Sequence, residues 1–358
     1  MYSESDLDGA VAAGVISPQQ MAALRAHVAG GRSTPMVDEE HFRLLTGFND
    51  IFVAIAAVIL LVAVAWIGQS VPPNIGFSGP SHWSGVAVAA TAWGLAEFFT
   101  RKRRMALPSI ILLLAFVGGV IAAAGLSLVL AIGEEALRDS NRLAGGIAAA
   151  SAAIGAGAAW LHWRRFKVPI TVAAGAAALV GLGLGLLNVL LGNTDGIDDI
   201  VLGFALMLGI GVFLFAMWWD SSDPRRETRR SDVAFWLHLL AAPLIVHPIF
   251  TLLGLNDGNA TAAEALIVLF VYLVLGLTAL AIDRRALLVS ALVYVLYALN
   301  SLFRAYGSVE FSVALTALVI GSALLLLSAF WNSARRGVVG PLPAGLQAKL
   351  PMVGGVTA

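Results

Sequence analysis

The chain has 358 residues, of which 59% are hydrophobic and 12% charged, and its mean hydropathy is +0.87; soluble domains carry about 25% charge. An ordinary water-soluble fold is therefore excluded, and at roughly 20 apolar residues per membrane crossing the apolar runs leave no room for a large soluble catalytic domain. The 22 basic and 22 acidic residues cancel, so no global field draws nucleic acid, and the lack of cysteine removes disulfides, thiol nucleophiles and cysteine-held zinc or iron–sulfur clusters.

Residues 1–47 differ in composition from the rest and lack the apolar stretch of a secretory leader. They predict a cytoplasmic module of two short helices and a linker. The first helix starts near Ser5, and the second is entered through Ser17, Pro18 and Gln20 after the turn Gly14-Val15-Ile16. Met21, Leu24 and Val28 form an apolar stripe too narrow to fold alone. It must dock on the first helix, the inner membrane face, a second copy or a cytoplasmic partner protein. Gly14, Ile16, Ser17, Gln19 and Gln20, ahead of a polytopic hydrophobic body, resemble the bacterial membrane proteins of unknown function typified by DUF2157. That resemblance implies a bacterial inner-membrane protein with a small cytoplasmic N-terminal module, and it brings no catalytic residues or cofactor.

Hydrophobic runs between charged breaks predict ten spans over residues 48–331. In order they are 51–68, 83–99, 107–132, 143–161, 168–191, 200–219, 233–255, 265–282, 286–303 and 311–331. Residues 332–358, with Pro341, Pro343 and Pro351 and little apolar periodicity, predict a flexible cytoplasmic tail. The expected fold class is all-α, a transmembrane bundle of about ten helices in the lipid bilayer with the N-terminal helical pair appended.

Basic residues fix the expected orientation. Nineteen of them precede the first span or follow an even-numbered one, and only Arg138, Arg142 and Arg304 fall on the other face. Such a split places both termini in the cytoplasm and the acidic loop of Asp195, Asp198 and Asp199 outside. Trp160, Trp163, Trp218, Trp219, Trp236 and Trp331 at inner span ends, with Trp66 and Trp83 at outer ones, suit headgroup anchors. Basic pairs recurring after the even spans are compatible with a two-span repeat, and positive-inside topology alone produces the same spacing. Ser151 with Gly155, and Gly181 with Gly185, have the spacing that lets helices approach closely.

Polar groups within spans are costly in lipid and point to function. Glu97 lies four residues before Arg101, which suits an ion pair along one helix. Asn188 and Asn300 sit near outer span ends, suited to bonding across helices or lining a vestibule. The seventh span holds His238, His247, Pro243 and Pro248. Each proline frees a carbonyl and predicts a helix break facing a protein-lined interior. His247 is suited to titrate, bind a ligand or relay a proton. The two histidines are nine residues apart, on opposite helix faces, so they do not make one metal site.

No His-Glu-x-x-His helix, nucleophile elbow or P-loop occurs, and Ser151 and Ser290 have no base nearby in sequence. Enzyme chemistry, a metal and a cofactor are therefore not expected. Two functions remain: a permease-like secondary transporter using His247, Asn188 and Asn300, or a non-transporting scaffold or sensor that recruits a partner through its N-terminal helices. Oligomeric state is not encoded in any pattern here.

Overall fold

A computed structural model describes residues 4–31, 48–254 except 77, 78, 139, 193, 195, 225 and 227, then 262–285, 288, 292, 295, 296, 312–347, 350 and 351. Asn300, Ser290, Asp195 and nearly all of the expected ninth span lie outside the described residues. The chain divides into two units, Met1–Phe42 with Gly354–Ala358, and Arg43–Val353.

In the first unit, helix α1 is Glu4–Ala12 and α2 is Pro18–Gly31. Between them Gly14 takes φ +70, a left-handed conformation that costs glycine little. The start of α2 is a reciprocal cap: the Gln20 amide donates to Ser17 Oγ at 3.1 Å, and the Ser17 amide donates to Gln20 Oε1 at 2.8 Å.

In the second unit the regular elements are α3 (Phe48–Gln69), α4 (His82–Ala96), a π-helical turn (Glu97–Lys102), α5 (Ala106–Ile132), α6 (Glu134–Arg138), α7 (Asn141–Phe166), α8 (Ile170–Leu191), α9 (Ile197–Ser221), α10 (Arg229–Leu252), α11 (Ala262–Ile282), α12 (Ser312–Ala329), α13 (Trp331–Val339) and α14 (Ala344–Gln347). Six of these, α3, α5, α7, α8, α9 and α10, are long and apolar enough to cross a membrane. A seventh is reached if α12 and α13, which meet at a 75° bend, count as one span. Outward faces such as Phe52, Ile59 and Trp66 on α3 are exposed, as expected of helices solvated by lipid. The protein is thus a helical, multi-pass membrane protein.

The expected second span is divided, because α4 ends at Ala96 and the wider π turn follows. The expected flexible tail carries most of α13 and all of α14, and buries Arg335, Val339 and Pro351.

Tight antiparallel hairpins build the bundle. Gly85 on α4 faces the α5 backbone so closely that a Cβ there would lie 2.6 Å from Gly119 O and Ala123 N. At Gly185 on α8 an added Cβ would lie 2.6 Å from the Ala149 amide of α7. These small residues permit backbone contact where lipid supplies no driving force for association. The turns closing three of the hairpins share another device with the turn after α11: Arg104, Lys167, Arg226 and Asp283 all have φ between 54 and 56. Each is a charged, non-glycine residue in the left-handed region. The ends of the bundle bearing these turns are called the basic end below.

Candidate functional site

Helix α9 runs apolar to Trp219 and then places Asp220 in its last turn, only 1% exposed. A buried carboxylate must be paired and hydrogen-bonded. Its partners come from two other elements. Arg284, in the turn after α11, donates from Nη2 to Asp220 Oδ1 at 2.5 Å and from Nε to Oδ2 at 3.2 Å. His238 of α10 approaches the same Oδ2 with Nε2 at 3.1 Å. An ionised carboxylate only accepts, so His238 donates from Nε2, and its Nδ1 carries the lone pair. That Nδ1 is buried and has no hydrogen-bond partner among the described residues. Arg284 also donates to Ser231 O at 3.1 Å and to Ser231 Oγ at 3.3 Å, fastening the first turn of α10.

The local sequence puts these groups in place. Asp223, just past α9, accepts from the Thr228 amide at 2.9 Å and the Thr228 hydroxyl at 2.7 Å. Thr228 in turn caps α10, accepting from the Arg230 amide at 3.2 Å. At the end of α11 the left-handed Asp283 lets the Arg284 amide reach back to Ala279 O at 2.9 Å. This turn throws Asp283 and Arg284 to different partners. Asp283 accepts from Arg226 Nη1 at 2.9 Å and from the Trp331 indole at 2.7 Å. Arg335 of α13, itself 3% exposed, lies 3.8 Å from Asp283 and donates to Leu280 O at 3.2 Å and Pro351 O at 2.5 Å. Two polar networks, joined through the Asp283–Arg284 backbone, therefore tie together α9, α10, α11, α13 and Pro351.

The residues singled out from sequence are spread more widely. His238 belongs to this network. His247, on the same helix, is exposed, and its carbonyl accepts from Thr251 Oγ1 at 2.9 Å. Helix α10 continues through Pro243 and Pro248 to Leu252, so the expected break is not an interruption of the helix. The reason lies with its neighbour. Pro248 frees the Leu244 carbonyl, and Gly209 of α9 presents a bare Cα there: a Cβ at Gly209 would lie 2.9 Å from Leu244 O. Asn188 donates to Leu184 O within its own helix at 3.2 Å, and its Cβ packs against Gly145, where an added Cβ would be 2.7 Å away. Glu97 lies at the basic end beyond α4, 3.3 Å from Arg101 and closer to Arg165, which donates from Nε at 2.7 Å and from Nη2 at 2.9 Å.

Sequence reasoning missed Asp220, Ser231, Asp283, Arg284 and Arg335. It also missed His162, fully buried on α7, whose Nδ1 lies 3.2 Å from Thr171 Oγ1. The rings of Trp93, Phe116 and Phe166 surround His162 at 6.2, 5.9 and 4.5 Å. One signal was present for Asp220: an acidic residue among the basic residues that orient the chain. Among the described residues no group of three or more His, Asp or Glu side chains is placed to hold a metal. No protein-family model, no curated protein and no solved structure matches the chain.

Proposed function

We propose that the chain is a permease-like secondary transporter of a small molecule in the bacterial inner membrane. In this reading the chain has ten spans, both termini are cytoplasmic, and the basic end faces the cytoplasm. The observation that carries it is the buried Asp220–His238–Arg284 cluster, which fastens three helices at that end by charge. Removing charges from water costs several kcal/mol per ion, roughly, and apolar side chains would close the same contact more cheaply. Polar closure has one advantage: water can dissolve it. A contact between helix ends that opens and re-forms is what an inner gate requires, and the substrate path then runs outward along α10 past His247, with Asn188 and Asn300 as further candidates. No catalytic step is proposed. Kinship with DUF2157-type proteins is part of the same proposal and rests on Gly14, Ile16, Ser17, Gln19 and Gln20.

The test uses Ala242, fully buried one turn beyond His238. In this cysteine-free chain, Ala242→Cys should react with an impermeant thiol reagent from the cytoplasmic side in inside-out vesicles. It should react from the opposite side in right-side-out vesicles, and Asp220→Asn should shift the balance toward cytoplasmic access. No labelling from either side in either background refutes transport.

The second reading, a scaffold or sensor recruiting a partner through residues 1–47, is favoured by the separate unit Met1–Phe42 and its reciprocally capped α2. It predicts an unreactive Ala242→Cys, together with a cytoplasmic protein retained by the full chain and lost when residues 1–47 are deleted.

A further inference from the structure

We propose that His238 Nδ1 is a proton-binding site and that its proton competes with Arg284 for Asp220, which makes the proton the coupling ion of the gate. The proposal takes its purpose from the transport reading, while its chemistry stands on the cluster alone.

Three observations carry it. The imidazole is wholly buried, and one ring nitrogen, Nδ1, is left without a partner among the described residues. Its other nitrogen and Arg284 Nε converge on a single oxygen, Asp220 Oδ2, at 3.1 and 3.2 Å. The closed cluster of Asp220, Arg284 and neutral His238 has no net charge.

A proton taken from water adds to the Nδ1 lone pair, forming one N–H bond and leaving one positive charge in a buried site. Two cations then share one carboxylate. The imidazolium strengthens its hold on Oδ2, and Arg284 is the partner able to leave, because it sits in a turn at the bundle end. Its departure unfastens α9 from the end of α11. Lower pH therefore opens the contact.

Among the described residues the polar and charged groups around the cluster come from four elements. From α9 and the turn after it come Asp220, Asp223 and Arg226; from the start of α10 come Ser231 and Asp232; from the end of α11 come Asp283 and Arg284; and α13 brings Arg335. Asp223 is engaged with Thr228, and Asp283 with Arg226 and Trp331. Phe213 lies with its ring 5.3 Å from the imidazole, and α8 brings apolar Ala173 and Val180 to the same core.

Spin labels on Ser222→Cys and Gly337→Cys test this in the full chain in lipid. Ser222 is exposed, and a Cβ at Gly337 meets nothing within 4 Å. As pH falls from about 8 to well below the ordinary histidine value of about 6.5, the distance distribution should lengthen, with a slope of up to about tenfold in population per pH unit for one proton. In the His238→Gln background that response should vanish. An unchanged response in His238→Gln, or no response in the parent chain, overturns the proposal. If His238→Gln does not fold, nitrogen-15 histidine NMR of the parent chain decides. A buried imidazole must titrate with the midpoint of the distance change, and its absence is fatal. Ala242→Cys labelling at fixed pH separates the two ideas. Alternating access without pH-dependent distances sinks the proton site and keeps the transporter. A pH-dependent distance with an inert Ala242→Cys sinks the transporter and keeps the site.

Discussion

Asp283 and Arg284 are neighbours in the chain yet serve different networks: Asp283 takes Arg226 and the Trp331 indole, while Arg284 takes Asp220 and Ser231. The left-handed backbone at Asp283 turns the two side chains apart. A single dipeptide thereby ties the helix ends of α9, α10 and α13 to the end of α11.

Replacing Arg284 by Met should be strongly destabilising, because it strands the Asp220 carboxylate in a buried site. Breaking one side of a buried ion pair costs about 3–5 kcal/mol. Arg284→Lys keeps the charge, loses the two-pronged grip on Asp220 and should fall between Met and the parent. Thermal unfolding in detergent, followed by size-exclusion retention, ranks the three. Equal melting temperatures for the Met variant and the parent refute the claim.

Trp331→Phe keeps an aromatic ring beneath Arg285, which lies 4.7 Å from the Trp331 ring, and removes the N–H donated to Asp283. A hydrogen bond to a charged group contributes about 1.5–3 kcal/mol. The variant should lose stability by at least that order, and part of the loss should disappear when Asp283→Ala, which offers no side-chain acceptor, is already present. A double-mutant cycle on the melting data measures the coupling.

Helix contact at Gly85 is the third target. Gly85→Leu must push α4 off the α5 backbone, whereas Gly94, with nothing within 4 Å of an added Cβ, should accept Leu. Folded yield, read by fluorescence-detected size exclusion, should collapse for the first and hold for the second.

Orientation can be read by chemistry. Asp198→Cys and Arg229→Cys bracket α9 and the turn that follows it. Under the proposed topology an impermeant reagent reaches the first from outside intact cells and the second only in inside-out vesicles. Labelling of both from outside contradicts it.

Helix positions were legible because lipid demands long apolar runs, and α3, α5 and α7 to α10 lie where hydropathy places them. The reciprocal cap at Ser17 and Gln20 was legible for a local reason, since both partners sit within one turn. The ion cluster was not. Asp220 and Arg284 are 64 positions apart, and pattern reading treats Arg284 and Arg335 as interchangeable orientation charges. His238 stood out as a polar residue in an apolar run, but nothing in that run names its partner. Trp331 reads as a headgroup anchor and is instead 2% exposed, because the 75° bend between α12 and α13 folds it inward onto Asp283.

The distance between Asp220 and Arg284 along the chain also sets an order of manufacture. Synthesis runs from the N-terminus at about 5–20 residues per second, so the ribosome has 64 positions still to add when Asp220 is made. His238, 18 positions downstream, is made well before Arg284. The histidine is thus the first of the two partners to be made, and the arginine joins it on the carboxylate.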